Sequence, residues 1–111
     1  MNEFTLIGRV FDDIKRERDE KDKVVYHIPL VVTRSYKNEE GIYESDFIWA
    51  RAYGSVGESA AEYIRKGDII GLRGRLENIY GVLTPIVTKT TFLASKGTVR
   101  EENGVDTSEE I

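Results

Sequence analysis

The segment from residue 47 to residue 53 carries the side chains best suited to chemistry in this chain of 111 residues. It reads Phe-Ile-Trp-Ala-Arg-Ala-Tyr, and in a strand its side chains alternate between two faces. One face then holds small aliphatic groups that suit a packed interior, and the other holds Phe47, Trp49, Arg51 and Tyr53. Rings stack on bases and cations contact phosphates, so this pattern favours binding of single-stranded nucleic acid. The alternative is that a second subunit or a loop covers the aromatic face, with Ile48 and its neighbours outside.

Three other places in the sequence could extend such a surface. Arg73 and Arg75 are two positions apart on a predicted strand and therefore form a basic stripe, although an ordinary solvated face has the same pattern. A second cluster precedes a predicted turn at residues 38–41, and one further ring stands at a predicted hairpin tip. The candidate nucleic-acid-binding residues are Arg34, Tyr36, Lys37, Phe47, Trp49, Arg51, Tyr53, Arg73, Arg75 and Tyr80.

The residues present give little support to catalysis. His27 is the single histidine and lies in a predicted strand, where a packing role is expected. Asp12 and Asp13 have no spacing that links them to another carboxylate, and a helix cap already accounts for Ser55. The chain has no cysteine, which excludes disulfides, thiolate zinc sites and thiol catalysis. We therefore predict a protein that is not an enzyme, with no catalytic residue, no metal site and no cofactor.

Strands must position these side chains, because most of the sequence is rich in β-formers. Strands are predicted at residues 4–10, 24–33, 43–53, 68–79 and 82–93, with a tight turn at Tyr80 and Gly81 between the last two. Pro29 inside the second strand predicts an edge or a bulge. Residues 12–23 are highly charged without an apolar face, which predicts a mobile loop or a hairpin tip.

One helix interrupts the series of strands. Ser55 and Glu58 have the spacing of a capping box, apolar residues follow at helical spacing, and Gly67 predicts the end of the helix. The order of three strands, one helix and two strands indicates the all-β class. It is the order of a five-stranded OB-fold, a Greek-key barrel with one helix between strands 3 and 4.

The net charge of −4 is confined to the end of the chain. Residues 1–96 contain 15 basic and 15 acidic residues, whereas residues 97–111 contain one and five. We predict a domain at 1–96 and a short acidic disordered tail at 97–111. A neutral domain is compatible with a basic stripe on one face. No long apolar run and no secretory signal are visible, so we expect no membrane contact and a cytoplasmic protein.

The chain resembles the bacterial and phage single-stranded DNA-binding proteins across residues 2–95. The resemblance rests on the order and spacing of six segments: LIGRV at 6–10, LVVTRSYK at 30–37, ESDFI at 44–48, YG at 53–54, EYIRKGD at 62–68 and GRL at 74–76. It implies an OB-fold that stacks bases on aromatics, with Tyr36, Phe47, Tyr53 and Tyr80 at the matching positions. It also implies a homotetramer, or a dimer as the building unit.

The sequence departs from the family pattern in three places. Ile14 stands where the family usually has a proline, and the hairpin at Tyr80 and Gly81 is shorter than the usual long loop. The chain also lacks the long linker and the closing Pro-Phe pair of cellular members. The short tail looks more like that of a phage, plasmid or other accessory member, and it could recruit replication or repair proteins.

The function that these observations favour is sequence-independent binding and protection of single-stranded DNA during replication, recombination or repair. Two other functions are compatible with the same residues. An OB-fold can serve as a protein–protein module, such as a primosome component, whose aromatic face docks a partner. Binding of single-stranded RNA uses the same stacking physics.

Overall fold

Six strands and one helix make up the part of the chain that the structure, a computed structural model, describes, which is residues 1–95. In chain order they are β1 (Phe4–Val10), β2 (Lys15–Arg18), β3 (Val24–Lys37), β4 (Tyr43–Ala52), α1 (Gly54–Tyr63), β5 (Ile69–Ile79) and β6 (Val82–Ala94). The predicted acidic tail lies outside the described residues.

Five of the strands close into a barrel. The sheet order is β1-β5-β6-β4-β3-β2, and an additional pairing of β1 with β3 closes the barrel and leaves β2 outside it. The pairs are antiparallel except for a short parallel contact between β4 and β6. The closed barrel and the single helix between its third and fourth strands confirm the predicted OB-fold.

The barrel interior is filled by aliphatic side chains from alternating strand positions. The buried core includes Val10, Ile28, Leu30, Ala50, Ala52, Ile70, Leu72 and Val87. Gly8 makes the closure possible where β1 lies against β3, because a Cβ at this position would collide with the carbonyl oxygen of Val31. Ile14, the residue that departs from the family pattern, packs against this core.

Residues 12–23 contain a strand that the sequence pattern did not predict. All four residues of β2 are exposed, and they pair antiparallel with residues 24–27 of β3. The tip of this hairpin is a turn, as predicted, in which Asp19 Oδ1 accepts hydrogen bonds from the backbone N–H groups of Lys21 and Lys23. A strand exposed on both faces has no apolar alternation, so its sequence resembles that of a loop.

Pro29 lies neither on an edge strand nor at a bulge, so both predicted alternatives are wrong. Strand β3 has partners on both sides, and Pro29 is in unbroken register with Trp49 of β4. The Pro29 carbonyl accepts a hydrogen bond of 3.1 Å from the N–H of Phe11. The N and C=O of a strand residue point to the same side, so the missing N–H faces the gap between β1 and β2. The proline therefore removes no ladder bond.

The capping box predicted at Ser55 is wrong. The N-cap residue is Tyr53, in an extended conformation, and no side chain caps the helix. Gly57 is buried against β3 and β4, where a Cβ would collide with the ring of Tyr26. Contact with the barrel, rather than a cap, therefore fixes the position of α1. The helix ends at Tyr63, earlier than predicted.

The hairpin between β5 and β6 has the predicted two-residue turn. Tyr80 and Gly81 both have positive φ, 51° and 85°. Two consecutive positive φ angles are typical of a type I′ turn, which matches the twist of paired strands. The turn leaves the ring of Tyr80 82% exposed.

Candidate nucleic-acid interface

The outer face of β4 carries two exposed aromatic rings. Phe47 is 67% exposed and Trp49 is 41% exposed, whereas Ala50 and Ala52 on the other face are fully buried. The predicted assignment of the two faces is therefore confirmed for these four residues, whereas Ile48, which was predicted to lie inside, is only half-buried. An exposed tryptophan beside an exposed phenylalanine offers flat surface for stacking.

The ring of Phe11, which no sequence pattern indicated as a candidate, contacts both of these rings. It contacts Phe47 edge-to-face, with centroids 5.1 Å apart, and Trp49 in the same manner at 5.5 Å. We call Phe11, Phe47 and Trp49 the aromatic cluster. Phe11 follows the last residue of β1, and its contact depends on how the chain leaves the barrel, which no local sequence pattern reveals.

The aromatic cluster has polar neighbours on β2 and β3. Lys15 Nζ lies 6.0 Å from the centroid of the Trp49 ring, at the outer limit of a cation–π contact. His27 contacts the edge of Trp49, and its Nε2 lies 3.1 Å from Glu17 Oε1. His27 is thus a packed strand histidine, which agrees with the role expected from the sequence.

Arg51 is held by a carboxylate from the β2–β3 turn. Its two terminal nitrogens donate to the two oxygens of Glu20, at 3.0 and 2.8 Å. Arg51 Nη1 also lies 3.4 Å from the hydroxyl oxygen of Tyr53. The hydrogen bonds from Arg51 lower the pKa of Glu20 to about 2, and partial burial raises the pKa of Tyr53. Arg51 therefore has its main acceptor inside the protein.

Arg34 is paired in the same way but on the other side of the β3–β4 hairpin. Its Nε and Nη2 donate to Asp46 at 3.0 and 2.9 Å, and its Nη1 donates to Glu44 at 2.9 Å. These hydrogen bonds raise the pKa of Arg34 and lower that of Asp46. By strand alternation, Asp46 and Phe47 lie on opposite faces of β4. The structure therefore does not bring Arg34 together with the aromatic cluster.

Tyr36 and Lys37 lie at the far end of β3. Lys37 is the cross-strand partner of Tyr43, and its Nζ lies 5.7 Å from the centroid of that ring. Tyr43 shares the face of Phe47, because it lies four positions earlier in the same strand. Tyr36 is exposed. The aromatic surface of β4 therefore continues toward the β3–β4 turn.

The remaining candidates border two grooves on the outside of the barrel. A groove of about 530 Å³ lies between the β2–β3 turn and the β5–β6 hairpin, and it is lined by Asp19, Glu20, Lys21, Lys23, Tyr53, Arg75, Glu77, Asn78, Ile79 and Tyr80. A second groove of about 330 Å³ contains Arg73 and Lys89. Arg75 is the one residue that lines both grooves.

Arg73 and Arg75 differ in whether a carboxylate pairs with them. Arg75 Nε donates to Glu77 at 2.7 Å. Arg73 is exposed beside its cross-strand neighbour Lys89, and within residues 1–95 neither forms an ion pair with a carboxylate. Within the same residues, no group of three or more metal-ligating side chains is present. Of the four predicted arginines, Arg73 is therefore the one that pairs with no carboxylate within residues 1–95.

Comparison with known proteins identifies a family whose sequences this chain resembles. The model of the Single-strand binding protein family matches residues 1–81. Single-stranded DNA-binding protein B of Bacillus subtilis is 32% identical over 76 residues, which is 68% of this chain and 67% of that protein. Single-stranded DNA-binding protein 3 of Streptococcus agalactiae is 30% identical over 77 residues, 69% of this chain and 56% of that protein. The match spans about half to two thirds of the length of these relatives.

A solved structure shares the fold. The Plasmodium falciparum SSB complex with ssDNA superimposes with a TM-score of 0.68 at 19% identity, over 84% of this chain and 95% of that chain. In the described part of the chain, α1 is too short to cross a membrane.

Proposed function

Since this chain belongs to the single-strand binding protein family, we propose that it binds single-stranded DNA independently of sequence. The observation that carries the proposal is the exposure of Phe47 and Trp49 on a strand whose other face is core. Bases stack on such rings, at about 1–3 kcal/mol per base. Arg73, Arg75 and Lys89 line the second groove, which the phosphates of a bound strand can follow, although no residue of the aromatic cluster lines it.

Single strands are exposed during replication, recombination and repair, and the proposed binding supports their protection. The proposal includes binding alone and no catalytic step. It extends to a homotetramer, or to a dimer as its unit, which the exposed apolar side chains Ile7, Leu83 and Phe92 support. Light scattering measures the mass of the particle in solution and tests this part separately.

Trp49 is the single tryptophan and therefore reports directly on the proposed site. Titration with oligo-dT is expected to quench its fluorescence, because a stacked base changes the surroundings of the indole. Duplex DNA of matched length is expected to bind far more weakly, since paired bases cannot stack on side chains. Equal affinity for the duplex and the single strand contradicts stacking, and oligo-U in place of oligo-dT measures any preference for RNA.

A second candidate function is favoured by the ion pairs of Arg51 and Arg75, two of the arginines proposed to contact DNA. These pairs leave fewer cations free to meet a phosphate on the outside of the barrel. Such a surface can dock a protein, as expected of a primosome component. A salt titration separates the two functions, because phosphate contacts make the logarithm of affinity fall linearly with the logarithm of salt concentration.

A further inference from the structure

The contact between Glu20 and Arg51 joins a turn to the edge of the aromatic face. The two residues are 31 positions apart in sequence, and the turn places the carboxylate at the border of the larger groove. The Arg51 side chain is only 15% exposed, and that of Glu20 is 33% exposed. The pair is thus more enclosed than the exposed Arg75–Glu77 pair, which links two neighbours within one strand.

The geometry of this contact is that of arginine bound to a phosphate. Two parallel N–H···O bonds join a planar guanidinium to two oxygens of one anion, and carboxylate and phosphate both accept this arrangement. Glu20 therefore occupies the position on Arg51 that a DNA phosphate would need. Only one of the two anions can hold both terminal nitrogens at the same time.

The turn that carries Glu20 is ordered by its own hydrogen bonds. The carboxylate of Asp19 accepts two backbone N–H groups, and the backbone N–H of Asp19 donates to the carbonyl of Lys23 at 2.8 Å. The carboxylate of Glu20 is therefore held next to Arg51 by a hydrogen-bonded turn.

Resting on the proposed function, we propose that Glu20 sets the affinity for DNA by competing with a phosphate for Arg51. A strand that reaches Arg51 must first displace the carboxylate, so one ion pair replaces another. This exchange makes the contribution of Arg51 to affinity, and to its salt dependence, smaller than that of an unpaired arginine. The consequence is a surface on which stacking dominates until Glu20 is removed.

The test compares Glu20→Gln with Glu58→Gln in titrations with oligo-dT at several salt concentrations. Both changes remove one negative charge, but Glu58 is exposed on α1, away from both grooves. Glu20→Gln is expected to raise affinity at low salt about two- to fivefold, the size of effect that a partly exposed ion pair supplies. It is also expected to steepen the log–log salt slope by about one unit. Glu58→Gln is expected to leave the slope unchanged.

Two further variants tie the effect to this contact. Arg51→Met removes the charge but keeps an unbranched apolar side chain of similar length. In this background, Glu20→Gln is expected to change the affinity for oligo-dT and the salt slope no more than Glu58→Gln does. Glu20→Asp keeps the charge but withdraws the carboxylate by one methylene, so it is expected to raise affinity in the same direction as Glu20→Gln. Glu20→Asp also replaces Glu20→Gln if thermal unfolding shows that the latter does not fold.

The outcomes separate this inference from the proposed function. If the wild type binds oligo-dT but the Glu20 variants have the same affinity and salt slope as Glu58→Gln, competition by Glu20 is refuted and the proposed function stands. A gain that persists in the Arg51→Met background also refutes it. If the wild type does not bind oligo-dT, the proposed function fails and the inference fails with it.

Discussion

At the scale of single residues, the aromatic cluster can be compared with an equally exposed ring elsewhere. Phe47 on β4 and Tyr63 on α1 are both 67% exposed. Phe47→Ala is expected to weaken oligo-dT binding by about 1–3 kcal/mol, and the loss should persist at high salt because stacking releases few counterions. Tyr63→Ala is the matched control and is expected to bind as the wild type does. Equal losses for the two variants would contradict a site on β4.

Two arginines give a contrasting prediction about charge. Arg73 has no carboxylate partner within residues 1–95, whereas Arg34 contacts Asp46 and Glu44 on the face opposite Phe47. Arg73→Ala is expected to flatten the log–log salt slope by about one unit. Arg34→Ala is expected to leave the slope unchanged, although the sequence placed it among the candidates. Equal flattening by both variants would mean that the strand also crosses the face of Arg34.

Residue types and strand alternation predicted the exposed rings of β4 because that information is local. The partners of the arginines could not be predicted. Glu20 is 31 positions from Arg51, and Phe11 reaches Trp49 only because β1 ends beside β3, the strand that pairs with β4. The charge of an arginine can be read from the sequence, but whether a carboxylate already forms an ion pair with it depends on the fold.

At the scale of elements, the alternation of β4 makes a testable distinction between its two faces. Ile48 lies on the face of the core residues Ala50 and Ala52. Ile48 is only half-buried, whereas Ala50 is fully buried in the core, so Ala50 gives the sharper test. Ala50→Asp is expected to destabilise the barrel by several kcal/mol, since it places an unpaired charge in the core. Phe47→Ala should change the free energy of unfolding much less. Chemical denaturation of both variants measures the difference. If Phe47→Ala lowers the free energy of unfolding more than the other variant does, the outer and inner faces of β4 have been assigned the wrong way round.

The elements themselves were predictable where burial imposes a period. Five strands and the helix were predicted with small errors at their ends, because each carries a buried face. β2 was not predicted because all of its residues are exposed and only pairing with β3 makes it a strand. The predicted cap at Ser55 failed for a related reason, since the contact of Gly57 with Tyr26 positions the helix.

At the scale of the whole molecule, the ion pairs make stability depend on pH in the acidic range. The folded protein holds the pKa of Glu20 at about 2, below its ordinary value of 4.5. The unfolded chain therefore binds more protons between these values, so stability falls as the pH is lowered through them. Glu20→Gln should lose less stability than the wild type between about pH 4.5 and pH 2 in thermal unfolding. An identical pH profile for the two proteins would show that Glu20 does not contribute.

One of the contacts that hold the barrel together, the parallel pairing of β4 with β6, is very short. β4 and β6 are in register only at Arg51 with Ile86 and at Ala52 with Val87, whereas β5 and β6 pair along nearly their whole lengths. Few backbone bonds must break to open this contact, and the pairing of β1 with β3, which is in register only at Arg9 with Val31 and at Val10 with Leu30, is equally short. Local unfolding and amide hydrogen exchange are therefore expected to begin at these two contacts. Arg51 pairs β4 with β6 and is also the residue for which a DNA phosphate is proposed to compete. DNA bound at Arg51, as proposed, is therefore expected to stabilise this contact and to slow the exchange of its amide hydrogens.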